Sequence, residues 1–168
     1  MITPGWCHTM ARYNSWQNGN IVSCADTLTD AARCADRGAW FGSIQATLSH
    51  LLWGDLVWMS RLDGGDPPGG SIGDSAAMFA DWPGYCQRRM ATDRRIERWA
   101  ARLEPDDLEG DLAWFSGAMG RDMIRPKAVC IMHLFNHQTH HRGQVHAMLT
   151  AAGARPGATD LPFMPDAI

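Results

Sequence analysis

His133, His137 and His141 recur at four-residue steps in a stretch, 127–142, that holds no Gly or Pro to break a helix. Each such step on an α-helix turns about 400°, or 40° net, and climbs roughly 6 Å, so neighbouring members share a face. Two imidazoles at i and i+4 can reach one metal ion. All three cannot, because the first and last lie about 12 Å apart along the axis. The spacing offers two pairs, His133/His137 and His137/His141, and does not choose between them. A further ligand must come from another helix. His50 sits between Leu48 and Leu51, where an unpartnered polar ring is costly to bury. Asp55, about a turn and a half further on, is the alternative donor.

Other chemistries find no support. The chain has no Ser-His-Asp grouping, no phosphate-binding glycine loop, and no E-x-x-H pattern of the kind that marks a di-iron bundle. Five cysteines, Cys7, Cys24, Cys34, Cys86 and Cys130, form no C-x-x-C. That argues against a disulfide framework or a four-thiolate zinc site and suits a reducing, cytoplasmic setting. Fifteen Lys+Arg against eighteen Asp+Glu give a net charge of −3. With the basic residues scattered, the electrostatic footprint of a nucleic-acid binder is missing. The N-terminus shows no secretory leader pattern. The longest uncharged stretch, Gly38–Gly54, is too short and too polar to span a bilayer.

The elements that must position the histidines follow from the breakers. The 168 residues predict one domain spanning 1–168, with 154–168 as a C-terminal tail. Long helices are predicted over about 7–28, 43–62, 83–103 and 126–152, with a short piece opened by Thr29-Asp30. Ser43 reads as the N-cap of the second long helix, and Pro83 fits the first turn of the third. The inward stripe of that third helix runs through Cys86, Met90 or Arg89, Ile96, Ala100 and Leu103. Arg89 and Asp93, at i and i+4, either meet near the bundle interior or form a surface ion pair, and the surface pair is the expectation. Leu112, Trp114, Met119 and Met123 around Ser116-Gly117 read as a small hairpin or extended crossover. The fold predicted is all-α: a four-helix bundle with one long, partly extended crossover between the third and fourth long helices.

The stretch His133-Leu134-Phe135-Asn136-His137-Gln138-Thr139-His140-His141-Arg142-Gly143-Gln144 resembles the signature of the DinB family, damage-inducible helical bundles that include bacillithiol-transferase-like enzymes. Tyr13-Asn14-Ser15-Trp16 with Asn18, and Phe41-Gly42-Ser43-Ile44 through His50, Asp55 and Trp58, are similar to the family's first and second helices. Gly153 followed by Asp160-Leu161 is similar to its C-terminal end. The resemblance implies one divalent metal ion held by His50, His137 and His141. It leaves His133 as packing or as a wall of the metal pocket. Gln144, three residues past His141, is placed to orient that ring or to pack at an interface. His140 lies about 100° round the helix from His141 and points elsewhere; for His146 the expectation is solvent or helix packing.

Three neutral nitrogen ligands leave a coordination position open, the pattern of a catalytic site. Zn or Ni suits such ligands, with Fe or Cu as further candidates. The expected activity is a metal-dependent reaction on a small molecule, of thiol S-transferase or hydrolase type, with a low-molecular-weight thiol as a possible co-substrate. A non-catalytic metal-binding stress-response module is the alternative. The resemblance, with a tryptophan-rich and charge-poor composition, also implies a homodimer.

Overall fold

Thr3, Thr29, Ser43 and Asp81 each turn a side-chain oxygen onto the backbone of the helix that follows. They accept from the N–H groups of Trp6, Ala32, Ala46 and Gly84 at 3.1, 3.2, 3.1 and 2.8 Å. Each such cap satisfies one of the four N–H groups a helix start leaves free. The helices they open are α1 (Pro4–Asp26), α2 (Asp30–Cys34), α3 (Ile44–Leu62) and α4 (Trp82–Ala100). The last helix, α5 (Lys127–Ala151), has no side-chain cap. Instead its first N–H bonds back to the Gly110 carbonyl at 2.9 Å, and Gly153 ends it at φ +82°, a conformation that favours glycine.

This computed structural model describes residues 1–166. The long helices α1, α3, α4 and α5 pack as a bundle, α1 against α4 and α5, and α3 against α4 and α5. The crossover from α4 to α5 contains an antiparallel hairpin of β1 (Asp111–Ser116) and β2 (Arg121–Pro126), in register from Asp111 opposite Pro126 to Ser116 opposite Arg121. Residues 154–166 fall back along α1, where Gln17 Nε2 and Tyr13 Oη donate to the carbonyls of Ala158 and Thr159 at 2.9 and 2.6 Å. The predicted tail runs to 168; residues 167 and 168 lie outside those described. No helix among the described residues is long and apolar enough to cross a membrane.

The bundle, the crossover hairpin and the Ser43 cap match expectation; the boundaries of two helices move by more than one residue. Helix α1 starts at Pro4 rather than 7 because Thr3 caps it. Helix α4 starts at Trp82, so Pro83 stands one position deeper in the first turn, and it ends at Ala100 rather than 103. On α4 the inward residue is Arg89, which is 2% exposed, while Met90 is 52% exposed.

The core has two apolar clusters. One gathers Ile21, Leu48, Leu52, Tyr85, Val145 and Leu149; the other gathers Met59, Ile96, Trp99, Ile131, Leu134 and Phe135. Between them lies a buried polar layer to which all four long helices contribute. Arg89 Nη2 is 2.8 Å from both Asp55 Oδ2 and Asp93 Oδ1. Asn18 Nδ2 donates to Asp93 Oδ1 at 2.8 Å, and Arg142 Nη1 donates to Asn14 Oδ1 and, at 3.1 Å, to Gln138 Oε1. The expected surface pair of Arg89 and Asp93 is therefore corrected: both are buried, because Asp55 on α3 and Asn18 on α1 close over them. Two guanidinium groups, Arg89 and Arg142, balance two carboxylates, Asp55 and Asp93. That balance is what makes burial of four charges tolerable.

Candidate metal centre

Two elements carry the centre. Helix α3 presents His50 at its middle, and α5 presents His137 and His141 one turn apart on the face that packs against α3. His50, His137 and His141 come together so that one ligand atom of each lies within 4.8 Å of the others. The Nε2 atoms of His50 and His137 are 3.1 Å apart. His50 and His141 are buried, at 3% and 8% exposure, and His137 is partly so.

The outward nitrogens are set by their partners. The Ser75 hydroxyl donates to the Ile72 carbonyl at 2.6 Å, so it accepts from Nδ1–H of His50 at 2.8 Å. The Gln144 carbonyl oxygen accepts from Nδ1–H of His141 at 2.8 Å. In both rings the proton sits on Nδ1 and the Nε2 lone pair turns to the shared centre. Burial pushes the His50 and His137 pKa values down from 6.5 to about 4 and about 3, with neighbouring imidazoles adding to the effect. Burial lowers His141 too, against the opposing Gln144 hydrogen bond. The cluster is therefore neutral near pH 7, the protonation state that metal ligation needs.

Small and flat neighbours shape the space. A Cβ on Gly54 would lie 3.1 Å from His137 Cε1, so the glycine is what admits that ring. Phe41 stacks on His50 with ring centroids 4.1 Å apart and leans on His141 at 5.5 Å.

A sequence comparison gives this geometry its context: the DinB family profile matches residues 1–168. The chain belongs to the DinB family. It is 24% identical over 154 residues to Protein DinB of Bacillus subtilis (strain 168), covering 88% of this chain and 87% of that one. A crystal structure of a DinB-like protein from Bacillus cereus ATCC 10987 superposes with a TM-score of 0.53 at 23% identity, covering 87% of this chain and 90% of the other. The DinB fold is thus shared across nearly the whole chain.

The other candidate residues of this DinB chain divide. His133 is exposed, and its ring lies against Trp58 at 5.0 Å and beside His137 at 5.5 Å, outside the three-ring cluster. His140 is exposed and touches the cluster only edge-on through His141, at 4.8 Å. His146 lines a groove between α1 and α5 with Tyr13 and Gln17. Asp55 belongs to the buried polar layer with Arg89. Sequence reasoning missed Ser75, Gly54 and the role of Phe41. Gly54 left a signal, since an isolated glycine within a helical pattern marks a close approach. Ser75 left none, lying in a Gly- and Pro-rich loop 25 residues from its partner.

Proposed function

We propose that His50, His137 and His141 hold one divalent ion, Zn or Ni first, and that the protein is a metal-dependent enzyme acting on a small molecule. The observation that carries this reading is the convergence of three neutral imidazoles, two with their protons held away from the centre by Ser75 and Gln144. The donor set fits a borderline divalent cation. When bound, such an ion supplies Lewis acidity that favours the deprotonated form of a water or a small thiol, so the reaction is of hydrolase or thiol S-transferase type. The chain's own part is to keep the imidazoles neutral, fix their tautomers, and exclude water on one side with the Phe41 ring. The test is elemental analysis of the purified protein joined to a screen for thiol transfer and hydrolysis. Stoichiometric metal and turnover that a chelator abolishes are expected; full turnover without metal contradicts the proposal.

The cover that Phe41 lays over His50 and His141 favours a second reading, a metal-binding stress-response module without turnover. Metal at one ion per chain with no activity across the same screen selects it. We further propose a homodimer. Its support is a groove of about 400 Å³ beside α5, lined by Trp6, Met10, Val129, Met132 and Phe135, with Val129 and Met132 43% and 39% exposed. Light scattering should give twice the 18.6 kDa chain mass at micromolar concentration; a single 18.6 kDa species overturns the dimer.

A further inference from the structure

Between α3 and α4 the chain runs through residues 63–81, a loop whose one buried residue is Ser75, at 0% exposure. Ser75 is held from several sides. Its hydroxyl bridges the Ile72 carbonyl and Nδ1 of His50, and its own carbonyl accepts from the Ser49 hydroxyl at 2.6 Å. The same Ser49 oxygen accepts from the Phe79 N–H at 3.1 Å. Two more bonds tie the loop down: Trp53 Nε1 donates to the Gly69 carbonyl at 3.0 Å, and Gln45 Nε2 donates to the Ala80 carbonyl. Gln45, Ser49, His50 and Trp53 stand at i, i+4, i+5 and i+8, which places them on one face of α3. The loop therefore hangs from the same helical face that carries His50.

The geometry points to Ser75 as a positioning residue for His50, and to residues 69–80 as a segment whose order is coupled to occupancy of the three-histidine centre. The inference rests on the metal reading above. A cation on Nε2 draws electron density from the imidazole and makes Nδ1–H a stronger donor, so the bond to Ser75 tightens. Conversely, a partner on Nδ1 fixes the ring and raises the basicity of Nε2. Linkage makes the two effects equal and reciprocal. Without the hydroxyl, Nδ1–H is left buried and unpaired. The ring then gains by moving its proton to Nε2, where it blocks the lone pair that ligation needs.

The experiment uses the full chain as wild type, Ser75→Ala and Ser75→Thr. Zinc affinity is measured by chelator competition, hydrogen exchange over 69–80 is followed with and without zinc, and the zinc-free His50 tautomer is read from nitrogen NMR. Ser75→Ala should bind zinc about 10–100-fold more weakly and show the Nε2-protonated tautomer, while Ser75→Thr stays close to wild type. Zinc should slow exchange at 75–80 in wild type and in Ser75→Thr but not in Ser75→Ala. Zinc affinity of Ser75→Ala within twofold of wild type, or exchange over 69–80 indifferent to zinc, overturns the role of Ser75. A wild type that binds no zinc, nickel, iron or copper overturns the metal reading itself, and the inference falls with it.

Discussion

The Nε2 atoms of His50 and His137 face each other at 3.1 Å while Ser75 keeps the His50 proton on the opposite nitrogen. Two lone pairs at that separation repel. One proton on His137 Nε2 relieves the conflict between these two rings. A cation relieves it as well and also engages His141, whose proton Gln144 holds away from the centre.

The ion-free protein should lose stability as the pH falls from about 6.5 towards 3. His50 and His137 have folded-state pKa values of about 4 and about 3, below the 6.5 of the unfolded chain, because burial disfavours their charged forms. Through that window the unfolded state binds more protons, so stability rises with pH and drains away on acidification. Urea midpoints measured between pH 7 and 4 should fall steadily, and His50→Gln should flatten the slope. A midpoint that rises on acidification contradicts the burial of neutral imidazoles.

Gly54→Ala should separate folding from ligation. Alanine gains about 1 kcal/mol of helix propensity over glycine, yet its Cβ would stand 3.1 Å from His137 Cε1 and push the ring. Zinc affinity by chelator competition should drop several-fold while the urea midpoint holds or rises. Unchanged affinity would mean that His137 has room to spare.

Arg89→Met should be among the most damaging single changes in the bundle. It leaves Asp55 and Asp93 buried without their shared cation, and breaking a buried pair costs about 3–5 kcal/mol. Adding Asp93→Asn should recover part of that loss, because the one carboxylate left, Asp55, is then balanced by the buried Arg142. Denaturant midpoints of the two variants check this; equal stabilities would show that the polar layer carries no such strain.

Much of this architecture was legible because it rests on local signals. Ser43, Thr29 and the Pro and Gly breakers mark helix ends by chemistry confined to a few residues, and the His137/His141 pair is one of two that the helical step alone allows. What stayed hidden depends on partners distant in sequence. Arg89 reads as a surface cation until Asp55, on another helix, lies 2.8 Å away. Thr3, the cap that sets the start of α1 at Pro4 rather than 7, stands ahead of any established apolar period, where one hydroxyl is a weak signal. Ser75 stands in a loop without periodicity, and only the packing of that loop on α3 brings it to His50.

The central claim is one ion held by three named imidazoles, and metal content per chain after zinc loading and dialysis tests it most directly. Wild type should retain one equivalent. His50→Ala, His137→Ala and His141→Ala should each retain none, whereas His133→Ala, His140→Ala and His146→Ala should keep it. Loss of the ion in His133→Ala with retention in His141→Ala would assign the other four-residue pair. Retention in all six variants would mean that the centre described here is not where a metal binds.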